Sequence, residues 1–138
     1  KSSPNQEVPG HHRRNLVDAS FGDLSSWLAT TNTSWLEFNL QQPKTFSKVI
    51  WSRDRTGILK DRLPIGYTLS SSNDGQSWNQ IKFETQSVPN SPTTYNLTFP
   101  PVTAQYLRFD IIKTNDAGPA ALDDFEIIGS QGALWAGV

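Results

Sequence analysis

Short runs of alternating apolar and polar residues, separated by turn residues, dominate this chain. A period of two is typical of a β-strand with one buried face. The runs are Leu36-Phe38-Leu40, Phe46 to Trp51, Ile65-Tyr67-Leu69, Tyr95-Leu97-Phe99, Tyr106 to Ile111 and Phe125 to Ile128. With no long amphipathic helix and no internal repeat, the pattern predicts an all-β fold, an antiparallel β-sandwich or jelly roll of about eight strands.

Turn residues delimit these runs. Asn73-Asp74-Gly75 predicts a tight turn, since Asp and Gly tolerate the left-handed backbone that a hairpin needs. Pro100-Pro101 predicts a break between two strands. The alternation also predicts which side chains point inward: Leu36, Phe38, Leu40, Leu107, Phe109, Phe125 and Ile127.

Length and composition narrow the possibilities. The 138 residues are enough for one stable domain, and the absence of cysteine excludes disulfides and thiolate chemistry. A net charge of -1 argues against nucleic acid as the main partner, and no apolar window is long enough to span a bilayer. The polar, Pro-containing start predicts a linker or flexible arm over residues 1–14, a domain over 15–129 and a tail or boundary over 130–138, as part of a larger protein.

Several motifs, in this order, resemble the discoidin or coagulation factor V/VIII C-type domains and the family 32 carbohydrate-binding modules. They are NLVDASFGDLSSW (15–27), WLEFNLQQP (35–43), YTLSSSNDGQSW (67–78), AQYLRFDI (104–111) and ALDDFEIIG (121–129). The resemblance implies a galactose-binding-like β-sandwich that binds glycans, phospholipid head groups or protein surfaces without catalysis. It also implies a monomeric module at an extracellular, cell-surface or periplasmic location.

The resemblance implies one structural calcium ion. Its ligands would come from Asp18, Asp23 and Ser25 in the first loop and from Asp124 near the last strand, as calcium requires hard oxygen ligands. Ala19 and Ser25 depart from the family pattern, which has Gly and Thr there. The alternative is that these aspartates cap turns through side-chain hydrogen bonds.

A dense group of Arg and Asp between two strands nominates a ligand site. Paired guanidinium donors match vicinal sugar hydroxyls, so Arg53, Asp54, Arg55 and Arg62 are candidate glycan contacts. In sugar-binding relatives, the positions similar to Arg53 and Arg62 contact the ligand. The alternative is an internal lattice of ion pairs, Arg53 with Asp61 or Arg62 with Asp54.

Aromatic residues complete the candidates. Phe21, in the first loop, is the candidate for stacking on a sugar ring, and Asn115 is a candidate acceptor on the same rim. Trp27, Trp35 and Trp78 are predicted to be core residues, because a large indole is more often buried than exposed.

No catalytic motif occurs in the chain, so the sequence predicts a binding domain and no enzyme. Three functions stay open: a carbohydrate-binding module of a larger secreted or cell-surface protein, an adhesion or interaction module for protein or lipid head groups, and a structural spacer. They predict, in turn, an exposed aromatic beside Arg53, an apolar patch at the loop tips, and Arg and Asp paired internally.

Overall fold

A computed structural model describes residues 8, 10–11, 13–17, 20, 22, 26–85, 93–130 and 132–135. These residues form a 3-10 helix (Arg13–Val17) and eight strands. The strands are β1 (Trp27–Leu28), β2 (Ser34–Ser52), β3 (Pro64–Ser72), β4 (Asn79–Thr85), β5 (Thr94–Thr114), β6 (Ala121–Leu122), β7 (Asp124–Gly129) and β8 (Gly132–Trp135). All described pairs are antiparallel, which confirms the predicted fold class.

The strands form two layers that share β2 and β5. Hydrogen bonding gives a six-stranded order β4-β3-β5-β2-β7-β8, with β1 and β6 as a separate pair. The first half of β2 pairs with the second half of β5, which pairs with β3 in turn. The second half of β2 pairs with the first half of β5 and with β7. Both long strands therefore run from one layer of the sandwich into the other.

The length of β2 and β5 corrects two sequence predictions. The runs on either side of Pro43 belong to one strand, and so do those on either side of Pro100-Pro101. Pro100 and Pro101 lie where the β2–β5 register shifts, between the pairs Phe46 with Val102 and Lys48 with Thr98. A bulge leaves backbone groups outside the regular ladder, so the missing proline N–H does not end the strand.

The core lies between the two layers. All seven side chains predicted to point inward are buried, which confirms the alternation argument. Ring contacts join the layers: Phe38 stacks on Phe125 with centroids 4.5 Å apart, and Trp51 meets Tyr67 edge-on at 5.7 Å. Each of these large rings contributes to the hydrophobic stabilisation of the domain, together with the buried aliphatic side chains.

The hairpin between β3 and β4 forms as the Asn73-Asp74-Gly75 motif predicts. Gly75 has φ of 72°, and Asp74 accepts hydrogen bonds from the backbone N–H groups of Gln76 and Ser77 at 2.8 Å. A left-handed backbone favours glycine, and an Asp side chain that bonds the following amides closes the turn.

Both predicted ends of the domain contain residues that pair with the sandwich. Val8 N–H donates to the Leu28 carbonyl at 3.0 Å, and Leu28 N–H donates to the His11 carbonyl at 3.3 Å. At the other end, β8 extends the sheet by pairing with β7. The limits at residues 15 and 129 stay a prediction, with these contacts lying beyond them. Within the described part of the chain, no helix is long and apolar enough to cross a membrane.

Candidate functional site

Two loops meet at one end of the sandwich and are joined by Asn115. One loop, residues 53–63, connects β2 to β3, and the other, residues 115–120, follows β5. Asn115 accepts from Leu63 N–H through its side-chain oxygen at 3.0 Å and donates from its side-chain nitrogen to the Lys60 carbonyl at 2.7 Å. Its backbone N–H donates to the Leu63 carbonyl at 3.0 Å. The Asn115 side chain thus fixes the relative position of the two loops.

Asp54 shapes the loop of residues 53–63 from inside. Its carboxylate accepts from the Thr56 N–H at 2.9 Å and hydroxyl at 2.5 Å, and from the N–H groups of Ile58 and Leu59 at 3.1 and 2.7 Å. Burial raises the pKa of Asp54, but the hydrogen bonds from Thr56, Leu59 and Ile58 outweigh it and lower the pKa. This buried carboxylate therefore serves as the internal support of the loop.

Arg53 is buried and holds an exposed carboxylate. Its side chain is 2% exposed, whereas that of Asp61 is 47% exposed. The Arg53 guanidinium donates from Nε to the Asp61 carbonyl at 2.9 Å and from Nη2 to Asp61 Oδ1 at 3.0 Å. Two bonds from one planar group fix both the backbone and the side chain of Asp61.

Arg62 lies beside this carboxylate on the surface. Its Nε is 3.4 Å from Asp61 Oδ2, and its side chain is 38% exposed. Arg62 also has φ of 54°, a left-handed conformation that is unusual for an arginine and costs on the order of 1–3 kcal/mol. The strained backbone and the Arg53 contacts together present a donor and an acceptor side by side.

Arg55 faces a different set of carboxylates. Its Nη2 contacts Asp124 Oδ2 and lies 3.2 Å from Glu126 Oε1. Burial raises the pKa of Asp124 to about 7, with the Glu126 and Asp123 carboxylates adding to the rise, while the Arg55 guanidinium lowers it. The contact with Arg55 is accordingly what favours the charged form of this carboxylate.

The sequence predicts six ligand contacts and four calcium ligands, and the structure describes six of these ten residues. Arg53, Asp54, Arg55 and Asn115 form hydrogen bonds or ion pairs within the domain, and Arg62 is at the surface. Asp124 contacts Arg55. Phe21, Asp18, Asp23 and Ser25 lie outside the described residues. As ligand contacts and metal ligands, these assignments stay predictions.

Asp61 was missing from the predicted ligand contacts. The sequence signal is the acidic residue between two cations, Lys60 and Arg62, in a loop already rich in guanidinium groups. The lattice alternative named Asp61 as a partner of Arg53, and the structure has that pair. In the structure Arg62 pairs with Asp61, whereas that alternative paired it with Asp54.

A second polar cluster lies on the outer face of the layer formed by the first half of β2 and the second half of β5. The Arg108 guanidinium lies 4.4 Å from the ring centroid of Trp35 and 5.9 Å from that of Trp78. It also pairs with Asp110, at 2.9 Å from Nη2 to Oδ1. Trp27 is buried as predicted, but Trp35 and Trp78 are only half-buried, so their assignment to the core is wrong. Their amphipathic rings cover an arginine on the sheet surface.

Solved structures similar to this chain include carbohydrate-binding modules. The CpGH89CBM32-5 module from Clostridium perfringens, in complex with GalNAc-beta-1,3-galactose, has 14% identity and a TM-score of 0.78, covering 94% of each chain. The family 32 module of NanJ from C. perfringens, in complex with galactose, has 16% identity and a TM-score of 0.75, covering 92% of this chain and 91% of that one.

A third similar structure is chitosan-binding module 1, derived from a chitosanase/glucanase of Paenibacillus sp. IK-5. It has 20% identity and a TM-score of 0.72, and the match covers 94% of each chain. At these identities the likeness shows the fold. No curated protein matches this chain by sequence. The profile of the F5/8 type C domain matches residues 1–124. This chain therefore belongs to the F5/8 type C domain family.

Proposed function

We propose that this domain is a non-catalytic glycan-binding module whose polar contacts are Asp61 and Arg62. The observation that carries the proposal is the pair of hydrogen bonds from buried Arg53 to the half-exposed Asp61. A carboxylate on a loop normally samples several rotamers, and fixing it before a ligand arrives lowers the entropic cost of binding.

The chemistry of the pair suits a sugar. Asp61 Oδ2 can accept from one hydroxyl of a pyranose while the Arg62 guanidinium, whose Nε lies 3.4 Å from that oxygen, donates to the neighbouring hydroxyl. The strained backbone of Arg62 supports the same conclusion, because strain of this kind is concentrated at functional sites. The sugars held by the two Clostridium perfringens modules add support from the same fold.

The roles of the predicted contacts change accordingly. Arg53, Asp54 and Asn115 position the loop and the Asp61 carboxylate, while Arg62 meets the ligand. Phe21 remains the proposed stacking residue. The domain would serve a larger secreted or cell-surface protein, in keeping with the chitosanase/glucanase origin of one similar module. Because the contacts are few and exposed, dissociation constants of about 1 μM to 1 mM are expected.

A glycan array followed by calorimetry on the best ligand tests the proposal. Arg62→Ala and Asp61→Asn should each weaken binding about tenfold or more, which corresponds to about 1.4 kcal/mol. Asp61→Asn keeps an oxygen for Arg53, so the thermal midpoint should change little. Arg53→Lys loses the planar fork that holds Asp61, so it should weaken binding and lower stability together.

Lys82→Ala is the matched control. Lys82 lies on β4 at the edge of the sheet, and its charge is paired with Glu84 at 3.6 Å, away from the loop end. Its removal should leave glycan affinity unchanged. Equal affinity of the Arg62 and Asp61 variants and the wild type would place the glycan elsewhere on the domain.

A structural spacer is the second candidate function. It is favoured by the carboxylate partners of Arg53, Arg55 and Arg62, because pairing of this kind needs no ligand. If the domain bound no glycan on the array while Arg53→Lys still lowered the thermal midpoint, the result would support the structural spacer over the glycan-binding module.

A further inference from the structure

The family resemblance implies a calcium ion that has Asp124 among its ligands. Calcium takes six to eight oxygens at about 2.3–2.6 Å. Among the residues that the structure describes, no three acidic or imidazole side chains come together in a way that could hold a metal ion. The remaining candidates, Asp18, Asp23 and Ser25, lie outside them. Of the four candidate ligands, Asp124 is therefore the one whose surroundings the structure describes.

A guanidinium is in contact with the Asp124 carboxylate. Asp124 and Glu126 are two residues apart on β7, so they lie on the same face of the strand, and Arg55 Nη2 meets both. The Asp124 side chain is 3% exposed, so this charge has little contact with water and depends on Arg55. Guanidinium has only donors and a positive charge, so a metal ion bound to Asp124 Oδ2 would be repelled by the adjacent Arg55.

The neighbouring Asp123 carboxylate is also engaged by protein donors. Its Oδ1 accepts from the Ser52 hydroxyl, and its Oδ2 accepts from the N–H groups of Gly22 and Arg55 at 2.8 and 2.7 Å. Gly22 lies between the 3-10 helix and β1, Ser52 ends β2, and Arg55 lies in the loop between β2 and β3. This single carboxylate therefore ties together three segments of the chain.

We propose that Arg55 is the built-in counter-ion of Asp124 and Glu126, and that this end of the sandwich is held without calcium at Asp124. The guanidinium supplies the positive charge, and Asp123 supplies the cross-links between segments. The proposal goes beyond glycan binding and does not depend on it.

Unfolding of the wild-type domain tests the calcium half of the proposal. Its thermal midpoint should be the same in EDTA and in millimolar calcium chloride, and calorimetric titration with calcium chloride should give no binding heat. A ligand that binds only the native state raises the midpoint by mass action. A midpoint raised by calcium or lowered by EDTA would therefore overturn the proposal, as would a saturable binding heat.

Arg55→Gln tests the role of Arg55 as counter-ion, with Arg62→Gln as the matched control on the same loop. Both substitutions remove one positive charge, but Arg62 is partnered by a half-exposed carboxylate and Arg55 by a buried one. The Arg55 variant should lose several degrees of thermal midpoint and the Arg62 variant much less.

A double-mutant cycle completes the test. Arg55→Gln combined with Asp124→Asn should destabilise the domain by clearly less than the sum of the two single changes, because each removes the same contact. Additive effects would overturn the role of Arg55 as counter-ion. If Arg55→Gln does not fold, the wild-type calcium titration still decides the metal half of the proposal.

Discussion

Arg53 with Asp61 and Arg108 with Asp110 are built from the same chemical groups but differ in where the guanidinium lies. Arg53 is buried, and its partner is eight residues away on a loop. Arg108 is 28% exposed between two indoles, and its partner is two residues away on the same strand. The first pair joins a buried charge to the surface, whereas both members of the second pair keep contact with water.

The difference shows that the exposure of a residue does not by itself indicate its contribution to stability. An exposed ion pair contributes about 0–1 kcal/mol, because water solvates each partner when the other is removed. A buried guanidinium has no such replacement, so the loss of its carboxylate leaves desolvated donors. Asp61 is the more exposed of the two aspartates, yet it should matter more.

The largest expected effect follows from this argument. Asp61→Ala should lower the free energy of unfolding by about 2–3 kcal/mol, because buried Arg53 loses a charged acceptor. Asp110→Ala should cost about 0–1 kcal/mol, since Arg108 remains solvated and stacked. Urea unfolding at pH 7, with an unchanged m-value and a shifted midpoint, measures both quantities.

Asp61→Asn is the control for this comparison. It keeps an oxygen that can accept from Arg53 Nη2, so it should cost clearly less than Asp61→Ala. Equal costs for Asp61→Ala and Asp110→Ala would show that the Arg53 contact contributes no more to stability than the exposed pair does.

Asp54, which supports the loop that contains Asp61, should make the stability of this loop sensitive to acid. The lowered pKa of Asp54 means that the unfolded chain binds the proton more tightly than the native protein does. The stability from Asp54 is therefore present above the ordinary value of 3.8 and is lost as the pH falls through the lower native pKa.

Asp54→Asn tests this and removes one of the two acceptor oxygens. At pH 7 the cost should be about 1–2 kcal/mol, because the N–H groups of Ile58 and Leu59 lose a carboxylate. Below about pH 4 the difference in stability between the variant and the wild type should narrow. Unfolding midpoints between pH 3 and 7 measure it, and a gap that is constant with pH would contradict the role of Asp54.

The sequence predicted the fold well because alternation is a local property. Leu36, Phe38 and Phe109 are buried on the faces that period two indicates. The continuity of β5 through Pro100-Pro101 could not be predicted in the same way, because it depends on a register shift against β2. Long-range register sets where a proline is tolerated.

The candidate site was predicted only as a region. The excess of guanidinium and carboxylate groups in residues 53–62 indicated the right loop, but the role of each group depends on burial. Arg53 and Arg62 have the same side chain and lie in the same charged loop. Tertiary packing buries Arg53 and leaves Arg62 exposed. The half-burial of Trp35 and Trp78 has a similar origin, since Arg108 is brought to them by strand pairing.

The smallest expected effect concerns the sheet-face pair. Arg108→Ala removes a cation from two indole faces, together with the aliphatic stem that covers them, so it should cost about 1 kcal/mol. Urea unfolding measures the cost, and fluorescence quenching by iodide should report greater access to Trp35 and Trp78. Glycan affinity should be unchanged, because the pair is on the outer face of the sheet and the proposed contacts are at the loop end. If Arg108→Ala abolished glycan binding while Arg62→Ala did not, the ligand would lie across the indoles of the sheet face, and the loop-end pair would be structural.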